Sequence, residues 1–262
     1  MSDFTAIIIP ARYESSRFPG KPLAKISGKS MIEWIIEAAK KSKLANKIIV
    51  ATEDKRIYDF VKDKLNTEVC ITLGEHKCGT DRIGEVVRKY SEIKYVVNLQ
   101  GDEPLMPPEY IDKVISTLQS QTSNFPIQIA TLITPITNKE DFENANVVKV
   151  VKDKDNFALY FSRACIPFDR ENITTHQHIN INIYFKHIGI YAFTRESILK
   201  FCQLPQSNLE KLEQLEQLRA LENGFKIKLD VVPESFPAVD REEDISKVEE
   251  ILQTTQFCTT WQ

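Results

Sequence analysis

The sequence has no strong charge bias, no cysteine pattern and no hydrophobic run of membrane length, and each absence removes a class of function. Among 262 residues, 34 Lys and Arg stand against 37 Asp and Glu, a formal net charge of −3. Nothing in that balance invites nucleic acid or an anionic membrane surface. Five cysteines (Cys70, Cys78, Cys165, Cys202, Cys258) are scattered without a CxxC pair. An odd, unpatterned set points to reduced thiols and away from disulfides or structural zinc. The N-terminal run Ala6-Ile7-Ile8-Ile9 is too short for a membrane span and lacks the flanks of a signal peptide, so a cytoplasmic location is expected. There is no GxGxxG loop. Nor is there a Walker A loop, because no glycine stands five residues before Gly28-Lys29-Ser30; Ser30 reads instead as a helix N-cap, with Glu33 completing a capping box.

What is present is an ordinary globular composition, 42% hydrophobic and 27% charged. The first two-fifths alternate apolar strand-like runs (Thr5–Pro10, Lys47–Thr52, Glu68–Thr72, Tyr95–Gln100) with amphipathic stretches (about Met31–Ser42, Lys55–Lys64, Thr80–Tyr90, Pro108–Gln119). That alternation predicts an α/β fold, a three-layer, doubly wound, mostly parallel sheet. From Gln128 the pattern changes. Gln128–Pro135, Val147–Lys152, Phe157–Ser162 and Tyr184–Phe193 follow one another without a long helix, and Asp169–Asn182 reads as an irregular excursion. We expect one domain over residues 1–250, with 128–193 as a mixed-strand extension whose exposed strands pair in a homodimer. A helix over about Asn208–Glu222 stopped by Gly224, a strand at Lys226–Val232, a helix from about Arg241 and a loose tail at 253–262 complete the expectation.

Ligands of open parallel sheets bind beyond the carboxyl ends of the strands. The loop after the first strand carries Arg12, Arg17 and Lys21 among serines and a glycine, a basic loop suited to polyphosphate. The loop after the fourth strand reads Gln100-Gly101-Asp102-Glu103-Pro104, where an Asp can hold Mg²⁺ bound to nucleotide phosphates or close an Asx-turn. Gly101 is expected to permit a sharp turn.

The segments IIIPARYESSRFPGKPL, GTDRI, NLQGDEP, ALYFSRACIPFDR, KHIGIYAF and LEQLRALENG occur in order. Together they resemble the 3-deoxy-manno-octulosonate cytidylyltransferases, enzymes with a nucleotide-diphospho-sugar transferase-like fold that activate a sugar acid with CTP for lipopolysaccharide assembly. The resemblance runs from about residue 4 to about residue 250. It implies that Arg12, Arg17 and Lys21 engage the CTP triphosphate. It also implies that Ala11, Ala51, Thr52, Arg82 and Gln100 surround the base, and that Asp102 and Asp240 bind Mg²⁺. Around Asp240 the chain departs from the family pattern, with Arg241 and Glu242 replacing Thr and Pro. Asp240 is also placed to form a capping box with Glu243. For the acidic sugar the resemblance implies Arg163, His187, Tyr191, Glu216 and Gln217. His187, mid-strand among apolar neighbours, also reads as a core histidine. Glu216 falls within an arc of leucines on a continuous helix, where its partner is Arg219 or a sugar hydroxyl. Sialic acid or an 8-amino sugar acid are alternative acceptors. A metal-dependent glycosyltransferase is disfavoured, since Asp102-Glu103-Pro104 lacks the second Asp of a DxD motif, and a non-catalytic nucleotide-binding regulator is disfavoured by the intact set of carboxylates and cations.

Overall fold

The computed structural model describes residues 3–15, 17–120, 126–170 and 183–254. The chain forms two compact units, residues 1–112 with 236–262 and residues 113–235.

The first unit starts with β1 (Thr5–Pro10), every residue of which is buried. A 3₁₀ turn, Lys21–Leu23, follows a left-handed Gly20 (φ 72°). A small antiparallel hairpin, β2 (Lys25–Ile26) with β3 (Lys29–Ser30), leads into α1 (Met31–Lys40). Glu33 closes back on the Ser30 backbone N–H at 3.2 Å, the capping contact the sequence suggests. Then come β4 (Lys47–Thr52), α2 (Lys55–Lys64), β5 (Glu68–Ile71), α3 (Gly79–Lys89), β6 (Tyr95–Leu99) and α4 (Pro108–Gln119). The strands β6, β1, β4 and β5 lie side by side and all run parallel. Near-continuous apolar strands are what a parallel sheet buried on both faces demands. The register sets Pro10 against Ala51 and Ile8 against Asn98, so the loops after β1, β4 and β6 leave from one edge.

In the second unit β7 (Ile129–Pro135) is followed by α5 (Lys139–Glu143), β8 (Lys149–Lys152), β9 (Ala158–Ser162), β10 (Phe185–Thr194), α6 (Arg195–Phe201), α7 (Asn208–Glu213), α8 (Gln217–Glu222) and β11 (Ile227–Val231). Here β7 pairs parallel with β11 and antiparallel with β10, β10 with β8, and β8 with β9, the mixed pattern expected. The short helices α5 and α6 were not anticipated, although Asn138 and Thr194 cap them through Asp141 and Ser197 N–H.

The helix expected over Asn208–Glu222 is broken. Gln214 adopts a left-handed conformation (φ 55°), α7 ends at Glu213 and α8 begins at Gln217. Three-residue steps of leucine over the whole segment cannot stay on one buried stripe. The break lets Leu215 and Leu218 be buried while Leu212 stays 80% exposed. The chain returns to the first unit with α9 (Asp244–Gln253), three residues later than its expected start. Most of the expected excursion (171–182) and of the tail (255–262) falls outside the described residues.

Candidate active site

At the edge where β1, β4 and β6 end, two glycines allow the loops to close together. A Cβ on Gly101 would stand 2.7 Å from the Pro10 carbonyl oxygen. Gly101 lies in the turn its sequence context suggests, and the close approach of two backbones adds a reason for glycine there. A Cβ on Gly79, first residue of α3, would meet Gln100 Oε1 and Pro10 Cγ at 3.2 Å. The cleft so formed has a volume of about 450 Å³ and is lined by Ala11, Arg12, Arg17, Lys21, Gly79, Gln100 and Asp102 with their neighbours. That volume is typical of a small-molecule site.

The charges in the cleft hold one another. Lys21 Nζ donates to Asp102 Oδ2 at 3.1 Å and to the Val239 carbonyl at 2.9 Å. Its side chain is only 14% exposed. Val239 N–H in turn donates to the Asp102 carbonyl at 2.9 Å, which sets Asp240 beside the same loop. Arg17 Nη1 meets Asp240 Oδ2 at 3.0 Å on the rim. The capping box assigned to Asp240 and Glu243 is not formed. Asp244, the first residue of α9, accepts the N–H groups of Asp240 and Arg241 at 3.0 Å each, leaving the Asp240 carboxylate to Arg17.

Of the residues expected around a base, Ala11 and Gln100 line the cleft. Gln100 Nε2 donates to Asn98 Oδ1 at 2.8 Å, and Asn98 Nδ2 to Thr80 Oγ1 at 3.0 Å. With its amide nitrogen so engaged, Gln100 offers its carbonyl oxygen as an acceptor. Ala51 and Thr52 are buried at the end of β4, their carbonyls accepting from Ala11 and Thr72 N–H at 2.9 Å each. Arg82, on α3, is 4% exposed and pairs with Glu53 and the Thr72 hydroxyl. Burial draws its pKa down, and Glu53 opposes that. These three residues are not on the cleft wall.

The residues expected at the sugar all lie in the second unit. His187 Nε2 is 2.9 Å from Thr131 Oγ1, and its ring lies edge-on to Phe161 and tilted against Tyr191. Enclosure in this aromatic setting pushes its pKa down to about 3, so it is a neutral hydrogen-bonding group. Arg163, at the end of β9, donates through Nε to the Glu213 carbonyl (2.8 Å) and through Nη1 to the Ala145 carbonyl (3.0 Å). Glu216 is the N-cap residue of α8, and the buried Gln217 is that helix's first residue. Arg219, the partner suggested for Glu216, donates its backbone N–H to the Glu216 carbonyl at 3.1 Å. It is 1% exposed and gripped by Glu210, with contacts of 2.8 and 2.6 Å.

Residues 6–228 match the family model described as cytidylyltransferase. The chain is 44% identical to the 3-deoxy-manno-octulosonate cytidylyltransferase of Thermodesulfovibrio yellowstonii, over 95% of this chain and 98% of that one. It is 45% identical to the protein of that name from Fusobacterium nucleatum, covering 92% and 94%. A solved CMP:2-keto-3-deoxy-manno-octonic acid synthetase complexed with CTP superimposes with a TM-score of 0.86 at 36% identity, covering 95% of this chain and 98% of that one. The chain belongs to the 3-deoxy-manno-octulosonate cytidylyltransferase family. It is a nucleotidyltransferase.

Sequence reasoning passed over several residues that hold the expected ones in place. Glu53 holds Arg82, and Val239 holds Lys21 through a carbonyl. Glu213 carries Arg163. Backbone acceptors leave no trace in a sequence, and Glu213 looked like any charged residue on a helix. Gly79 was visible, standing first in GTDRI.

Proposed function

We propose that this protein transfers CMP from CTP to the anomeric hydroxyl of 3-deoxy-manno-octulosonate, with release of pyrophosphate, as the first commitment of that sugar to lipopolysaccharide. One observation carries the reading. Two cations of the loop after β1 rest on Asp102 and Asp240, at the carboxyl edge of a parallel sheet. A triphosphate offers Arg12, Arg17 and Lys21 stronger anionic partners than those two carboxylates, and charge neutralisation and alignment are what nucleotidyl transfer chiefly requires. The amide oxygen of Gln100 is an acceptor suited to the 4-amino group of cytosine, where uracil would present another acceptor.

The donor set fits Mg²⁺. Asp102 and Asp240 are hard oxygen ligands on adjoining segments, and among the described residues each has one carboxylate oxygen without a partner. Two carboxylates leave the rest of a Mg²⁺ coordination shell to water and substrate phosphates. When bound there it would neutralise phosphate charge and lower the pKa of the attacking hydroxyl. The proposal extends to a cytoplasmic homodimer, supported by the 60% exposed Leu159 on β9; among the described residues no helix is long and apolar enough to cross a membrane.

The test is pyrophosphate release with purified protein, CTP or UTP, Mg²⁺, and 3-deoxy-manno-octulosonate, its 8-amino derivative or sialic acid. Release from CTP only when an octulosonate is present is the expected result. Comparable release from UTP would return the protein to the wider nucleotidyltransferase class, and preference for sialic acid would reassign the acceptor. Asp102→Asn should lower kcat by about 10²-fold or more with the fold intact, because the replacement keeps shape but removes a hard anionic ligand.

A further inference from the structure

The break between α7 and α8 has a structural consequence at β9. Glu213, last residue of α7, spreads its carboxylate over the end of that strand: Oε1 accepts from Ser162 Oγ at 2.6 Å and Oε2 from Arg163 N–H at 2.9 Å. Its carbonyl accepts from Arg163 Nε at 2.8 Å. In an unbroken helix that carbonyl would bond the N–H four residues on. The left-handed Gln214 turns the chain instead, with its own N–H closing on the Glu210 carbonyl. A non-glycine residue held in this conformation stores strain, and such strain collects where geometry serves function.

Arg163 is thereby fixed on two sides by neutral backbone carbonyls, Glu213 and Ala145, and among the described residues no carboxylate pairs directly with its guanidinium. Buried Lys149 holds the segment that supplies the second carbonyl, donating to the Asn144 and Val147 carbonyls at 2.8 and 2.7 Å. Among the described residues Nη2 is left as a donor nitrogen, beside the second N–H of Nη1. A cation locked in place with a donor to spare is preorganised for an oxygen-rich anion. Two residues beyond the same break, Glu216 and Gln217 open α8.

We propose that Glu213 is a positioning residue for the sugar acid: with the break at Gln214 it fixes Arg163 and sets that donor in register with Glu216 and Gln217. The proposal rests on the reading that the second unit receives the acceptor. Its chemistry is that of a polyhydroxylated sugar acid, which needs a cation and acceptors held at fixed spacing before binding. Positional errors of about 1 Å in such sites commonly cost about 100-fold in rate.

Glu213→Ala is tested with CTP and 3-deoxy-manno-octulosonate, alongside Arg163→Lys and the double variant. The expected result is a rise in KM for the sugar of about 10-fold or more, with KM for CTP within about 2-fold of wild type. Because Glu213 acts through Arg163, the double variant should be no worse than Arg163→Lys alone. An unchanged sugar KM, or losses that multiply in the double variant, overturns the proposal. Should Glu213→Ala fail to fold, Glu213→Gln keeps one acceptor oxygen for Ser162 or Arg163 and must show a smaller loss of the same kind, on the sugar alone. Equal loss on both substrates would make Glu213 merely structural. The outcomes separate the layers: a silent Arg163→Lys removes the acceptor reading together with the proposal, whereas a damaging Arg163→Lys beside a silent Glu213→Ala removes the proposal alone.

Discussion

The two units hold their cations in opposite ways. In the first, Arg17 and Asp240 meet with side chains 62% and 51% exposed, and Lys21 bonds Asp102 across a loop. In the second, Arg163 is tied to backbone carbonyls and Arg219 is sealed against Glu210 with side-chain exposures of 2% and 5%. An exposed pair such as Arg17–Asp240 contributes under about 1 kcal/mol, so it can be exchanged for a ligand's charges at little cost. A fully buried pair resists exchange, because either charge left alone has no solvation. Under the proposed function, the contrast makes the nucleotide site one that rearranges on binding and the acceptor region one built in advance.

The largest effect on stability should come from breaking the sealed pair. Glu210→Gln leaves the Arg219 guanidinium buried against Phe201 without its carboxylate. Removing one charge of a buried ion pair costs about 3–5 kcal/mol. Thermal unfolding should show a drop on the order of 10 °C in the transition to which the second unit contributes. A melting temperature within 2 °C of wild type, roughly the effect of half a kcal/mol in a chain this size, would erase the contrast between the units.

A middle-sized effect is expected from His187. Burial holds its pKa at about 3 in the folded protein, against about 6.5 in the unfolded chain. Above pH 6.5 both states are neutral and the group is silent. As pH falls below that, the unfolded chain binds a proton that the folded protein refuses, and stability declines until about pH 3. The slope attributable to this group is at most about 1.4 kcal/mol per pH unit. His76, whose pKa burial also lowers, acts in the same direction. Glu85 acts only at lower pH. Burial alone would raise its pKa, but hydrogen bonds from Lys89, Leu73 and Gly74 hold it at about 2. Melting temperatures between pH 7 and pH 5 should therefore fall less steeply in His187→Gln than in wild type. Parallel curves would show that the imidazole is not held neutral by the fold.

How much of this could be read from sequence follows the same division. The four parallel strands of the first unit came out at or within one residue of their expected bounds, since an apolar run flanked by amphipathic helices has few other solutions, while the short β2–β3 hairpin was not anticipated. Arg12, Arg17, Lys21 and Asp102 were legible because strand ends mark where ligands bind. In the second unit the periodicity of leucine suggested one helix, while a single left-handed glutamine divides it. Gln carries no warning of that conformation. The partners of Arg163 and Arg219 were equally hidden: Glu213 lies 50 residues from Arg163, and Glu210 is buried although nothing in Ser207-Asn208-Leu209-Glu210-Lys211 sets it apart from a surface glutamate. Tertiary pairing overrode local reading there, and Asp240 lost its assigned cap because Asp244, one turn on, took the same N–H groups.

The smallest effect on stability should come from the rim of the first unit, and there the comparison is sharpest. Arg17→Gln removes one half of a pair that is more than half exposed on both sides. Water can solvate the Asp240 carboxylate that remains, so no buried charge is stranded and the cost should stay under about 1 kcal/mol. The melting temperature should move by no more than about 2–4 °C. The same change deletes one of three cations available to a triphosphate, and a lost charge-assisted contact of about 1.5–3 kcal/mol corresponds to roughly a 10- to 100-fold rise in KM for CTP. KM for the sugar should hardly move, because under the proposed function Arg17 engages the triphosphate and Arg163 the sugar acid. Differential scanning fluorimetry and steady-state kinetics on one preparation read both quantities. A destabilisation matching that of Glu210→Gln would mean the rim pair is structural, and an unchanged KM for CTP would remove Arg17 from the nucleotide site.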